Sequence, residues 1–127
     1  MLFRREKMMM VIGASRFGAG LASMLSERGH HVVILDKDED SFRKLSEQFS
    51  GYEALGDGTD PEVLKQTGIE DARLVIASTD DDNTNMLIGQ IASRIFGVER
   101  VYVRLNDSEK QVLLDGFHIE PICPYVL

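Results

Sequence analysis

The chain has 127 residues, with 14 basic and 21 acidic side chains, and therefore a net charge of −7 at pH 7. This length suits a single domain and leaves no room for a separate catalytic domain of usual size. The acidic balance argues against a nucleic-acid partner, because a phosphate-binding surface needs a basic excess. The single cysteine excludes an intrachain disulfide and a multi-cysteine zinc site. No apolar run approaches the roughly 20 residues that span a bilayer, so we expect a cytosolic protein.

Five short apolar runs alternate with helical patterns along the chain. The runs are 8–12, 32–35, 52–55, 74–77 and 101–103, and we expect a sixth short strand to include Ile119. Nearly continuous apolar runs of this length are typical of parallel strands that are covered on both faces.

Amphipathic helices are predicted between these strands. Asp60 is the expected N-cap of the third helix, and Asn106 with Glu109 has the spacing of a capping box at the start of the fifth. The residues predicted to face inward in the first four helices are Phe17, Leu21, Met24 and Leu25; Phe42, Leu45 and Phe49; Val63 and Leu64; and Ile88, Ile91, Ala92, Ile95 and Phe96. Five alternations of strand and helix predict an α/β fold, a single Rossmann-like domain with a doubly wound parallel sheet.

The segment after the first strand, Gly13-Ala-Ser-Arg-Phe-Gly18, is a G-x-G-x-x-G motif with Ser15 in place of the second glycine. Gly13 permits a tight turn, Gly18 permits close packing of the helix, and the free amides at the helix start would face a pyrophosphate. Ser15 adds a Cβ where the backbone approaches phosphate, but its hydroxyl can donate to a phosphate oxygen. The alternative is a purely structural turn. Because the motif follows a strand and opens a helix, we favour nucleotide binding.

Asp36 ends the second strand, 18 positions after Gly18. A carboxylate at this place can accept both hydroxyls of an adenosine ribose and would repel a 2′-phosphate. This disfavours NADP, although the adjacent Lys37 weakens the argument. The alternative is that Asp36 only caps the second helix, and the glycine turn makes ribose binding the favoured interpretation.

Two later loops are also candidates. Gly56-Asp-Gly-Thr-Asp60 places polar groups of Asp57 and Thr59 near an adenine edge, or it is an ordinary turn that caps the third helix. The segment 78–85 suits helix capping, contact with the second half of a dinucleotide, or a divalent cation. It lacks the alternating oxygen spacing of a calcium loop, which favours capping with ligand contact. Arg104 is expected to meet a phosphate or to pair with a nearby aspartate.

The sequence offers no recognisable catalytic constellation. It has no Tyr-x-x-x-Lys pair, no His-Glu-x-x-His, no Walker lysine and no serine nucleophile elbow. A nucleotide site without such groups indicates a sensor. The alternative function is a small NAD-dependent oxidoreductase, or the cofactor-binding half of one.

Four segments, 11–18, 29–36, 56–59 and 75–85, occur in an order and spacing that resemble a known family. It is the N-terminal nucleotide-binding domain (TrkA-N, or RCK) of the TrkA/Ktr-type regulatory subunits of bacterial potassium transporters. The resemblance covers essentially residues 8–127. It implies a non-catalytic cytoplasmic subunit that binds NAD(H) or ATP/ADP/AMP and gates a potassium-translocating membrane subunit at the inner face of the membrane. It also implies self-association to a dimer or ring.

The resemblance also implies roles for individual residues. It puts Arg16 near the phosphates, Asp36 at the ribose, and the Gly56–Asp57 pair by the adenine. It puts three residues after the fourth strand beside the ligand. The complete expected site, which contains no catalytic or metal-binding residue, is Gly13, Ser15, Arg16, Phe17, Gly18, Asp36, Lys37, Gly56, Asp57, Gly58, Thr59, Ser78, Thr79, Asp80 and Arg104.

The chain stops at Pro124-Tyr-Val-Leu127, about where the family begins a crossover helix and a C-terminal lobe. We therefore expect residues 1–127 to be the N-terminal domain without that lobe. The chain is then either a piece of a longer protein or a half-length subunit that assembles with a second regulatory chain.

Overall fold

The computed structural model describes residues 7–124. Their strands form one parallel sheet in the order β3-β2-β1-β4-β5-β6, which confirms the predicted doubly wound α/β fold. The strands are β1 (Met8–Ile12), β2 (Val32–Asp36), β3 (Tyr52–Leu55), β4 (Ala72–Ala77), β5 (Arg100–Arg104) and β6 (Glu120–Ile122).

Helices of three kinds connect the strands. The α-helices are α1 (Arg16–Glu27), α2 (Pro61–Gln66) and α3 (Asp82–Gln90), and α3 continues as a π-helix over Ile91–Ile95. Shorter 3₁₀ helices cover Glu39–Lys44, Ile69–Asp71 and Ser108–Leu114. Within residues 7–124, none of these helices has the length and apolarity needed to cross a membrane.

Alternate residues of the strands point to opposite faces of the sheet, and each face has its own apolar cluster. Met10, Ile12 and Val75 belong to the cluster that includes Leu64 of α2 and Ile88 of α3. The neighbouring strand residues belong to the cluster that includes Ala22 of α1; they are Val11, Ile34 and Ile76. Both faces are therefore covered in the centre of the sheet.

The two edge strands depart from the prediction. Tyr52 and Leu55 of β3 are 65% and 60% exposed, because β3 has a neighbouring strand on one side only and little packed over it. The sixth strand begins just after Ile119 and contains Pro121, which an edge strand tolerates because it needs no amide donor on its outer side.

The second predicted helix is wrong in type and length. Residues Glu39–Lys44 form a 3₁₀ helix that ends before Leu45. The amides that would continue a helix are taken by hydroxyls of α1, since Ser46 N donates to Ser23 Oγ at 3.0 Å and Ser50 N to Ser26 Oγ at 2.9 Å. Leu45 still packs on the α1 side of the sheet. The apolar spacing therefore predicted correctly that this side chain packs inward, although no continuous helix carries it.

Two further helix details are corrected. Ile95 is 62% exposed, because the π-helix bonds Phe96 N to Ile91 O and rotates the chain away from the 3.6-residue spacing. The proposed capping box at Asn106 is also wrong, because Asp107 is the N-cap and accepts a hydrogen bond from Glu109 N at 3.0 Å.

The close approach of α1 to the sheet generates a stability prediction. A Cβ at Gly18 would lie 2.1 Å from Gly13 O and 2.5 Å from Ser78 Oγ, whereas a Cβ at Gly20 would meet nothing within 4 Å. We expect Gly18→Ala to lower the free energy of unfolding by about 1–3 kcal/mol through overpacking. Gly20→Ala, the control in the same helix, should raise it by about 0.5–1 kcal/mol. Urea unfolding measures both, and equal effects of the two substitutions would contradict the packing described.

Candidate functional site

A cavity of about 250 Å³ opens at the carboxyl ends of β1, β2 and β3. It lies beside the point where the chain order of the sheet reverses, between β1 and β4, which is where such sheets bind ligands. Its lining residues are Ile12, Gly13, Leu35, Asp36, Lys37, Gly56, Asp57, Gly58, Thr59, Thr79, Thr84 and Ile88. Two larger open grooves of about 400 and 410 Å³ lie at the amino ends of strands, on the opposite edge of the sheet.

The glycine turn between β1 and α1 is packed against the end of β4. Gly13 has a φ of +108°, and a Cβ there would lie 2.6 Å from Thr79 N. Ser78 Oγ donates to Gly13 O at 2.8 Å from the other side of the turn. The first glycine of the motif is thus required both by its backbone conformation and by this contact.

Ser15 is a structural cap rather than a free hydroxyl. Its φ of −69° suits any residue, so the second glycine of the motif is not needed here. Ser15 Oγ accepts from Gly18 N at 3.0 Å and donates to Ser78 O at 2.6 Å. Because the only hydroxyl proton is directed at Ser78 O, the predicted donation to a phosphate would require this bond to be exchanged, and it stays a prediction.

Asp36 ties the end of β2 to the glycine turn. One carboxylate oxygen accepts from Ala14 N at 2.7 Å and the other from Asp38 N at 2.8 Å. The 3₁₀ helix that follows is capped by Asp38, so the alternative role of Asp36 as a helix cap is wrong. An ionised carboxylate has about four acceptor positions, and two remain for hydroxyl donors in the cavity.

Two lysines add positive charge at this corner. Lys37 lines the cavity, as predicted. Lys44 was not predicted; its ammonium donates to Ala14 O at 3.1 Å and so reaches the glycine turn from the 3₁₀ helix. No local pattern marks Lys44, because its approach depends on that helix being short and folded over α1.

The loop after β3 is a capped turn that also lines the cavity, and its contact with an adenine edge stays a prediction. Asp57 Oδ1 accepts from the amide and the hydroxyl of Thr59, at 2.9 and 2.7 Å, and Asp60 caps α2. The same loop lines the cavity with Gly56 and Gly58. The amide and hydroxyl of Thr59 are the main reason that the pKa of Asp57 lies below its ordinary value, and Lys37 adds to the effect.

The three consecutive aspartates after β4 point to three different partners. Asp81 caps α3 through Thr84 N at 2.8 Å, and these hydrogen bonds from Thr84 lower the pKa of Asp81. Asp82 is buried and accepts from the amides of residues 106 and 107. The capping prediction is confirmed. Across residues 7–124, no group of three His, Cys, Asp or Glu residues is arranged to hold a metal ion.

Arg104 lies beside the glycine turn but outside the cavity. It is 6% exposed, its guanidinium is 5.3 Å from the ring centre of Phe17, and it pairs with Asp80 at 3.3 Å. Of the two roles considered from the sequence, the structure shows the ion pair. Seven of the predicted site residues do not line the cavity. They lie at the start of α1, at the end of β4 or at the Asp80–Arg104 ion pair, and they are Ser15, Arg16, Phe17, Gly18, Ser78, Asp80 and Arg104.

Asn85 connects the loop after β4 with the end of β5, and the sequence analysis did not identify it as a site residue. It is fully buried; its oxygen accepts from Thr79 N and Oγ1, and its amide donates to Thr79 O and Arg104 O. The interpretation of 78–85 as capping with ligand contact did not reveal this, since both partners come from strand ends that only the tertiary fold brings together.

The low pKa of Asp57 provides a test of the loop geometry. Thr59→Val removes the hydroxyl donor, so the pKa of Asp57 should rise toward its ordinary value of 3.8. Thr59→Ser keeps the hydroxyl and should leave the pKa low, as should Thr84→Val at the other loop. An NMR titration of the carboxyl carbons measures this. An unchanged Asp57 pKa in Thr59→Val would show that the hydroxyl is not its donor.

Comparisons with known proteins identify the family of this chain. The family model described as "TrkA-N domain" matches residues 9–123. The "Trk system potassium uptake protein TrkA" of Streptomyces coelicolor is 37% identical over 100 residues, covering 79% of this chain and 45% of the relative. The chain thus spans about half the length of that relative.

Solved structures share the fold at lower identity. The NAD(P)-binding domain of an exopolyphosphatase-related protein from Archaeoglobus fulgidus has a TM-score of 0.78 at 23% identity, covering 93% of this chain and 88% of that one. The GsuK channel bound to NAD has a TM-score of 0.77 at 20% identity, and the match covers 98% of this chain and 22% of the GsuK chain. GsuK bound to ADP has a TM-score of 0.73 at 21% identity, covering 92% and 31%. Because the family model matches residues 9–123, nearly all of the described part of the chain, this chain belongs to the TrkA-N domain family.

Proposed function

We propose that this chain binds an adenine nucleotide and acts as the nucleotide-sensing N-terminal domain of a potassium uptake system. The observation that carries the proposal is the Asp36 carboxylate, held at the cavity by Ala14 N and Asp38 N with acceptor positions to spare. An acceptor at the end of β2 beside a glycine turn is the arrangement that recognises a ribose in sheets of this kind.

The remaining site residues suit the other parts of a nucleotide. The buried apolar side chains of Ile12, Leu35 and Ile88 line the part of the cavity where we place the adenine ring. Gly56 and Gly58 let the loop after β3 pack closely on Val63 and Ile12 at this edge of the cavity. The start of α1 presents backbone amides and the positive end of the helix dipole to phosphates. We infer that the adenosine occupies the cavity and that the phosphates extend along the glycine turn toward Arg16.

Relatives support both the ligand class and the physiological role. A relative of this chain is named a potassium uptake protein, and GsuK has been solved with NAD and with ADP. We propose NAD(H) or ATP/ADP/AMP as the ligand and a potassium-translocating membrane subunit as the partner. The chain would then lie at the cytoplasmic face of the membrane and self-associate to a dimer or ring. A second regulatory chain is a further proposed partner.

A regulatory role requires more than binding. Two nucleotides change the state of the transporter only if they bind two arrangements of this domain with different affinities. We propose no catalytic residue, since the sequence contains no recognisable catalytic constellation. A small oxidoreductase remains the competing hypothesis, and it predicts that purified protein consumes NADH with a carbonyl substrate.

Calorimetric titration of nucleotide-free protein with NAD, NADH, ATP, ADP and AMP tests the proposal. We expect saturable binding of at least one of them at one per chain and no loss of NADH absorbance with carbonyl substrates. Folded, nucleotide-free protein that binds none of the five would refute the proposal.

Asp36→Ala should weaken binding of every adenine nucleotide. The lost hydrogen bonds involve a charged acceptor and contribute about 1.5–3 kcal/mol. Asp40→Ala is the control, because Asp40 is exposed, does not line the cavity, and pairs with Arg43. Unchanged affinity in folded Asp36→Ala would remove this carboxylate from the site.

Arg16→Ala should weaken ADP and ATP by about 1–3 kcal/mol and leave adenosine unaffected, because a charged donor to a phosphate is removed. Arg28, at the opposite end of α1, is the matched control. Titrations of adenosine, AMP, ADP and ATP measure the series. An equal loss for all four ligands would exclude a phosphate role for Arg16.

A further inference from the structure

The Asp80–Arg104 ion pair is asymmetric. The side chain of Arg104 is 7% exposed and that of Asp80 is 87% exposed, with 3.3 Å between Nη1 and Oδ1. The guanidinium is fixed by the ring of Phe17 and by its position at the end of β5. The carboxylate can return to water by rotating its side chain, while the arginine cannot.

The backbone of Asp80 is held independently of this ion pair. Asn106 Nδ2 donates to Asp80 O at 3.1 Å, and the residues on either side are fixed by Asn85 and by the cap of α3. Release of the carboxylate from Arg104 therefore does not require the loop to unfold.

A buried guanidinium needs an anion beside it, because an uncompensated buried charge is costly. Phe17, whose ring lies against the guanidinium, belongs to the first turn of α1, so Arg104 contacts the beginning of that helix. The Asp80–Arg104 ion pair lies next to the cavity and not within it. A nucleotide whose adenosine fills the cavity would extend its outer phosphates in this direction.

We propose that the Asp80 carboxylate is an internal substitute for a ligand phosphate. It occupies the anion position at Arg104 in this structure, and a phosphate beyond the first displaces it when such a nucleotide binds. Arg104 is then a specificity-determining residue that distinguishes ADP and ATP from adenosine and AMP. Asp80 lowers the affinity for nucleotides with two or more phosphates. This inference rests on the proposed nucleotide site and names the phosphate contact that the site selects.

Asp80→Asn tests the inference with an exposed substitution that should not disturb folding. The variant keeps the size of the side chain and removes the competing charge. Binding of adenosine, AMP and ADP is measured by calorimetry. We expect ADP to bind about two- to fivefold more tightly, the range of an exposed ion pair, with adenosine unchanged. Asp115→Asn, at the far end of the 3₁₀ helix Ser108–Leu114, controls for net charge.

A double-mutant cycle with Arg104→Gln separates competition from general repulsion. If Asp80 acts through Arg104, Asp80→Asn has no effect on ADP binding in the Arg104→Gln background. If it repels phosphates at a distance, the gain is the same in both backgrounds and the inference fails. Should Arg104→Gln not fold, Arg104→Lys replaces it; loss of the planar guanidinium should then diminish the gain.

The outcomes also separate this inference from the proposed function. If adenosine and AMP bind the wild-type chain and Asp80→Asn leaves ADP affinity unchanged, the substitute-phosphate role is wrong and the nucleotide site stands. If the wild-type chain binds none of the three ligands, the substitute-phosphate role is wrong, and the proposed function is then decided by the titrations with NAD, NADH and ATP.

Discussion

The packing of the glycine turn against the end of β4 is the constraint on which the rest of the site depends. Ser78 N donates to Ile12 O, Ser78 Oγ donates to Gly13 O, and Ser15 Oγ donates to Ser78 O. Gly18 leaves no space for a side chain at this contact. Together these bonds fix where α1 begins, how its first amides face the strand ends, and how the loops after β1 and β4 stand on either side of the cavity.

The charge distribution resolves a contradiction between composition and ligand. The net charge of −7 disfavours a long polyanion, whereas a single nucleotide needs only local positive potential. Three cations lie in or near this part of the molecule: Lys44 contacts Ala14 O, Lys37 lines the cavity, and Arg104 lies beside Phe17. The proposed site thus combines the Asp36 carboxylate, which we assign to the ribose, with cations that we assign to the phosphates.

The sequence predicted the central strands and α1 because burial on both faces and helical periodicity leave strong patterns. It failed where tertiary contacts decide: hydroxyls of α1 end the 3₁₀ helix at Lys44, and a π-helix turns Ile95 outward. Local motifs located Asp36 and the glycine turn. They did not reveal Asn85 or choose between a phosphate and an aspartate as the partner of Arg104, since those contacts join segments distant in the chain.

A crystal structure of this chain with ADP bound would test the central claim most directly. We expect the adenosine in the cavity, both ribose hydroxyls donating to the Asp36 carboxylate, and the phosphates along residues 13–18 with Asp80 turned away from Arg104. A nucleotide bound elsewhere on the sheet, or in the cavity without any contact to Asp36, would contradict it.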